Sequence, residues 1–345
     1  MARIIGKGYS YGDILIIPKY NKVISRKDVE LRTRVTRNYE IDIPLIAANM
    51  NTICDSKMAI ALGKLGGLGV IHRFMTIEEQ AEEVRKVKQE KLIVAAAIGV
   101  KDVKERTAAL VKAGVNILVI DIAHGHSKYA GKTLDYLKEH YPKIDIMAGN
   151  IATKDGAEYF LSKGADAIKI GIGPGSLCTT RSMTGAGVPQ ITAIMDVYEA
   201  TKGEIPICAD GGIKNPGDVV KALGAGANTI MSGSIFAGTE ETPGKIMEKN
   251  GKKFKQYLGS ASYEVSMKKA ELNNEKKEVI SVEGKEMIVP YKGSIEPIVR
   301  KFLGSLASGM TYIGAKKMIN LIGKADFIEM TNAGKEESRA HGIKE

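Results

Sequence analysis

Four times along the chain a helix-like stretch ends at a glycine and runs straight into an apolar segment: residues 62–70 (LGKLGGLGV), 110–120 (LVKAGVNILVI), 161–170 (LSKGADAIKI) and 222–231 (ALGAGANTIM). A glycine suits the position just past a helix C-terminus, where the backbone turns left-handed. The run that follows is apolar without alternation, the pattern of a strand buried on both faces in a parallel sheet. Carried along the whole chain, this reading gives eight strands, near 43–48, 68–72, 93–98, 117–121, 145–149, 167–171, 206–210 and 228–232. Helix starts fall between them: Thr76 with Glu79 and Asp102 with Glu105 have capping-box spacing, and Asn215 precedes Pro216. Eight alternations predict an α/β fold closed as a (β/α)8 TIM barrel rather than an open doubly wound sheet. No GxGxxG follows the first strand to argue for the open sheet.

A barrel takes roughly 250 residues, so a chain of 345 has room for additions to one large domain spanning 1–345. Two parts are expected outside the barrel: residues 1–40, an N-terminal extension, and residues 241–345, which follow the last strand. Within the latter, 266–285 (SMKKAELNNEKKEVISVEGK) is polar, lysine-rich and aperiodic. That composition predicts a mobile flap over about 258–292, with a plain exposed hairpin as the alternative. A C-terminal helical segment is expected over about 293–345. No run approaches the ~18 apolar residues of a membrane helix, and no leader-like stretch opens the chain. Cys54, Cys178 and Cys208 do not make a disulfide framework. These features predict a cytoplasmic protein without a membrane partner. The net charge of +10 comes from scattered lysines rather than a basic block interleaved with aromatics, which fits small anionic ligands better than nucleic acid.

The chemistry centres on Gly171-Ile172-Gly173-Pro174-Gly175-Ser176-Leu177-Cys178-Thr179-Thr180-Arg181, a glycine-rich loop placed directly after the sixth strand. Bare backbone there can turn N–H groups toward an anion or carbonyls toward a cation, and Ser176 adds a hydroxyl. Cys178 is either a thiol nucleophile beside a phosphate or a buried structural cysteine. Barrel enzymes carry reacting groups at the C-terminal ends of strands and often hold phosphate in the loops after strands seven and eight. Those loops are Asp210-Gly211-Gly212 and Ser232-Gly233-Ser234. Together with Ser176 they predict a nucleoside monophosphate cradle, with Asp210 on the ribose hydroxyls because a carboxylate repels phosphate. Asp121 ends the fourth strand and precedes His124-Gly125-His126; with His72 these could ligate metal, but no accompanying cysteine or carboxylate set has firm spacing.

The cysteine loop, AANM at 47–50, ADGGIKNPGDVVKALGAGA at 209–227 and VPYKG at 289–293 together resemble the IMP dehydrogenase/GMP reductase family across nearly the whole chain. The resemblance implies a (β/α)8 barrel that assembles as a homotetramer, with a covalent adduct between the cysteine and purine C2. Only about 20 residues separate Ile71-His72-Arg73-Phe74 from Val94-Ala95-Ala96, so there is no CBS insert. Residues 259–291 contain no arginine, whereas the dehydrogenase branch uses a flap Arg-Tyr pair to activate water. The stretch after the cysteine, TTRSMTGAG at 179–187, matches the reductase pattern, including Thr184.

The resemblance therefore implies the reductase branch: GMP reduced with NADPH to IMP and ammonium. A CBS-less IMP dehydrogenase using NAD and a non-catalytic purine-nucleotide-binding barrel are the alternatives. Carried over residue by residue, the catalytic set is Cys178, Thr180 and Glu283. Ser176, Gly212, Gly233, Ser234 and Tyr257 match phosphate contacts, Asp210 matches the ribose contact, and Gly211 belongs to the same substrate-binding set. Gly259, Ser260 and Ala261 border the base, while Asp121, Ala123, Asn150 and Gly171 line the nicotinamide side. Carbonyls of Gly173, Gly175 and Cys178 match a monovalent-cation (K+) site. The chain departs from many reductases at Gly259-Ser260-Ala261-Ser262 and at Ile280, and its tail at 330–338 is closer to the dehydrogenase tail.

Overall fold

A computed structural model describes residues 1–272 and 282–338 of the chain. The middle of the expected flap, with Ile280, lies outside the described residues.

All eight expected strands form and close into a parallel barrel: β1 (Leu45–Ala47), β2 (Leu68–Ile71), β3 (Ala95–Ile98), β4 (Ile117–Asp121), β5 (Asp145–Ile151), β6 (Ala167–Ile170), β7 (Ile207–Asp210) and β8 (Thr229–Ser232). Each pairs with its sequence neighbours, and β8 closes on β1 through Met231 opposite Ile46. Helices alternate with them: α1 (Ser56–Lys64), α2 (Ile77–Gln89), α3 (Val103–Lys112), α4 (Lys128–His140), α5 (Lys154–Ser162), α6 (Gln190–Thr201) and α7 (Pro216–Ala225). The glycine past each of the four helices noted above has positive φ, +90° at Gly66 for example.

The strands are apolar on both faces because both are buried. One row (Ile46, Val70, Ala95, Val119, Met147, Cys208, Met231) fills the barrel interior, and the other (Leu45, Ile71, Ala96, Leu118, Ile146, Ile168, Ile207) packs under the helices. The N-terminal mouth is closed by a hairpin of Thr33–Arg34 and Glu40–Ile41, whose Val35 and Ile41 join the interior row. Thr36 Oγ1 donates to the buried Asp145 carboxylate at 2.6 Å, and Asn38 adds its backbone N–H at 3.0 Å and its amide at 2.8 Å. Chemistry is left with the opposite, C-terminal rim.

Two expectations need correction. Thr76 and Glu79 do form a capping box, but Asp102 makes no side-chain cap on α3. Its carboxylate accepts the Arg106 guanidinium one turn along instead, a charge-assisted bond stronger than a cap. At α7, the Asp218 carboxylate accepts the Asn215 N–H at 2.9 Å, and Pro216 takes the first helical position. The C-terminal region does not all lie outside the barrel. α8 (Ile295–Tyr312) takes the eighth helical place, burying Val299, Phe302, Leu306 and Met310, with Gly309 set against Val220 of α7. Before it, Met247–Lys249, Lys252–Leu258 and Glu286–Pro290 form a three-stranded antiparallel sheet beside the rim, with the helix Tyr263–Leu272 following the second strand. Ile14–Ile16 pairs with Phe327–Glu329, joining the two ends of the chain. Among the described residues no helix is long and apolar enough to cross a membrane.

Candidate active site

At the C-terminal rim the loops enclose a cleft of about 250 Å³, and apart from the three histidines every site residue named from the sequence lines it. The three loops of the expected phosphate cradle meet at one end. Gly171 has φ +145°, and a Cβ there would lie 2.4 Å from the Asp210 carbonyl, so β6 and β7 approach closely only because that position is bare. Gly233 has the same function against the sheet, since a Cβ would come 2.8 Å from both Met50 Sδ and Tyr257 Oη. The hydroxyls gather accordingly: Ser176 lies 3.4 Å from Tyr257 Oη, and Ser234 lies 3.4 Å from Ser232. Burial raises the Tyr257 phenol above its ordinary value, so it is a neutral donor at physiological pH.

Cys178 is exposed to this cleft, so the buried structural alternative fails for it, whereas Cys54 and Cys208 are buried. Burial pushes the Cys208 thiol up to about 12 and the Cys54 thiol well above the usual range, which makes both inert. The Cys178 thiol donates to Thr180 Oγ1 at 3.1 Å, and the Thr180 hydroxyl donates to a Glu283 carboxylate oxygen at 2.7 Å. Residues 103 positions apart are thus joined in one continuous hydrogen-bonded path. The backbone makes it: the Thr179 N–H donates to the Glu283 carbonyl at 2.9 Å, laying the return of the flap alongside the cysteine loop.

The opposite wall is electrostatic. Lys169 projects from β6 into the barrel top, 1 % exposed, and its ammonium reaches Asp210 at 2.9 Å, Asp121 at 3.0 Å and the Asn150 side-chain oxygen. Asn150 also donates to Asp210 at 3.0 Å and to the Gly171 carbonyl at 2.8 Å. Burial alone would lower the Lys169 ammonium, but the two carboxylates hold it above its ordinary value. Burial alone would raise the Asp121 carboxyl, but Lys169 and Arg73 hold it below. Both stay charged at neutral pH.

Lys169, Arg73, Phe74 and Lys269 border this site and were not singled out from the sequence. The available signal for Lys169 was a lone cation inside a strand buried on both faces. Arg73 Nε has no hydrogen-bond partner and sits 3.8 Å from Asp121, while Lys269 stacks 4.5 Å over the Phe74 ring and donates to the Ser260 carbonyl at 2.9 Å. The histidines are apart from this set: His72 is buried, lowered by that burial to about 4, and accepts the Phe74 N–H at 3.1 Å; His124 and His126 face each other with ring centroids 6.4 Å apart. Among the described residues no three His, Cys, Asp or Glu side chains gather to hold a metal ion.

A closed (β/α)8 barrel that gathers a serine-and-glycine cradle, an exposed thiol and a carboxylate at its C-terminal rim has the architecture of a barrel enzyme. The chain belongs to the IMP dehydrogenase / GMP reductase family: the domain model of that description matches residues 8–341. It is an oxidoreductase of purine metabolism, and the family uses a nicotinamide cofactor. Curated relatives include an inosine-5'-monophosphate dehydrogenase of Borreliella burgdorferi, 39% identical over 399 residues and covering 99% of this chain and 98% of the relative. A GMP reductase of Leishmania major is 33% identical over 478 residues, covering 98% and 97%. Among solved structures, a GMP reductase variant from Trypanosoma brucei in complex with guanosine 5'-monophosphate superposes with a TM-score of 0.93 at 31% identity, covering 99% of each chain. The Leishmania alignment is far longer than this chain and the Borreliella alignment much less so, so a long insert does not separate reductases from dehydrogenases.

Proposed function

We propose that this protein is a GMP reductase, converting GMP and NADPH with two protons into IMP, ammonium and NADP+. The Cys178–Thr180–Glu283 path supports the thiol chemistry, and the observation that carries the reductase reading is the absence of arginine from residues 259–291. A GMP-bound reductase as structural neighbour also supports it. The phosphate is held by Ser176, Gly211, Gly212, Gly233, Ser234 and Tyr257, and the ribose hydroxyls donate to Asp210. Gly259, Ser260 and Ala261 border the purine.

Cys178 sulfur attacks C2 as its proton passes through Thr180 to Glu283. The S–C2 bond forms, the C2–N bond breaks, and the exocyclic nitrogen leaves as ammonia carrying a proton returned along the same path. An amino group is a poor leaving group unless protonated, and a hydroxyl hydrogen-bonded to a carboxylate meets that need. The other wall fits a nicotinamide: Arg73, ion-paired with Asp121, keeps its Nε without a hydrogen-bond partner, and Asp121, Ala123, Asn150 and Gly171 line the cleft on that side. When bound there, the reduced nicotinamide supplies a hydride to C2, which returns the S–C2 electron pair to Cys178. The basic balance of the chain favours the cofactor with the additional phosphate. Carbonyls of Gly173, Gly175 and Cys178 hold K+ in this reading, and the enzyme works as a cytoplasmic homotetramer, which sedimentation would test.

The second reading, IMP oxidised to XMP with NAD, is favoured by the 39% identity to a relative of that name. Purified protein given GMP and NADPH should lose absorbance at the reduced-nicotinamide band, and given IMP and NAD should not gain it. The reverse pattern selects the dehydrogenase.

A further inference from the structure

Residues 283–285 run as the middle strand of a small backbone lattice that joins two parts of the cleft. On one side the Thr179 N–H donates to the Glu283 carbonyl and the Lys285 N–H donates to the Leu177 carbonyl, both at 2.9 Å, with Cys178 opposite Gly284 in an antiparallel bridge. On the other side the Gly259 N–H donates to the Lys285 carbonyl at 2.9 Å and the Glu283 N–H donates to the Ala261 carbonyl at 3.2 Å. The nucleophile loop and the base-bordering loop therefore touch through this strand. Gly284 is buried at the crossing, and a Cβ there would lie 2.8 Å from the Ser262 nitrogen, 2.9 Å from the Ala261 carbonyl carbon and 3.3 Å from the Gly259 Cα. All three are backbone atoms, which cannot swing aside as a side-chain end does.

We propose that Gly284 is a positioning residue, whose missing side chain lets residues 283–285 dock between the base-bordering loop and the cysteine loop and so bring Glu283 to Thr180 and Cys178. Only this docking closes the proton path, because Glu283 reaches Thr180 from a strand held entirely by backbone bonds. Residues 283–285 touch the β6 loop at Leu177 and Thr179 but make no backbone bond to the cradle residues Ser176, Gly211, Gly212, Gly233, Ser234 and Tyr257 themselves. The proposal rests on the reading of Cys178 as the nucleophile toward a bound purine nucleotide, and holds for either direction of redox chemistry.

The experiment compares the wild-type protein with Gly284→Ala and Lys285→Pro, two different lesions of one strand: the first adds the clashing Cβ, and the second deletes the N–H given to Leu177. Turnover is measured by cofactor absorbance, and nucleotide affinity by titration calorimetry with GMP. Both variants are expected to lose at least tenfold in kcat while binding GMP within about threefold of wild type. Two outcomes overturn the proposal: kcat within twofold of wild type in both variants, or GMP affinity falling by the same factor as kcat, which marks a general structural defect. If the wild type oxidises IMP with NAD and ignores GMP with NADPH, the reductase reading fails separately. The same comparison is then made with IMP and NAD.

Discussion

Replacing Lys169 by methionine isolates the electrostatics of the cleft with little change in volume. The wild-type ammonium is 1 % exposed and is shared by Asp121 and Asp210, whose side chains are 18% and 22% exposed. Removing one partner from a buried pair leaves an uncompensated charge, at a cost of about 3–5 kcal/mol. The pH dependence follows from the two shifts. Lys169 is raised in the folded state, so its contribution is complete below its unfolded value near ~10.4 and fades only as pH rises through the still higher folded value. Asp121 is lowered, so its contribution is complete above about 3.9 and fades as pH falls through the lower folded value. The stability gap between wild type and Lys169→Met should thus be full at pH 7 and shrink in acid as Asp121 takes up its proton. Urea unfolding followed by circular dichroism at pH 7 and in acid reads this directly. A gap under about 1 kcal/mol at pH 7, or one that widens in acid, would show that the ammonium is not a shared counter-ion.

Other perturbations separate binding from chemistry. Cys178→Ala should abolish turnover yet bind GMP, with GMP raising its thermal midpoint as in wild type; loss of that shift would place the thiol in recognition rather than reaction. Thr180→Val should lower kcat by about 10²–10⁴ with KM for the nucleotide nearly unchanged, the size expected when a proton-transfer path is cut, and a KM effect alone would contradict it. Gly233→Ala sets a Cβ 2.8 Å from Met50 and Tyr257, so steady-state kinetics should show KM for the nucleotide raised at least tenfold and kcat at saturation largely retained.

The barrel was legible because four of the strands follow a glycine-ended helix and the strands are buried on both faces, which leaves unbroken apolar runs in the sequence. Rim positions were legible too, since the glycines at 171, 211, 212 and 233 lie where loops must approach closely. What stayed hidden is tertiary. Asp102 has the spacing of a cap, and only the fold shows that Arg106 takes its carboxylate. Lys169 sits in a strand pattern, and nothing local marks the two carboxylates that meet it from β4 and β7. The sheet at 247–258 and 286–290 escaped notice because its strands are largely exposed and carry no regular alternation.

The hairpin held by Asp145, together with the side chains that fill the barrel interior, makes the N-terminal half of the molecule a solid foundation, so that any guest must come and go at the C-terminal rim.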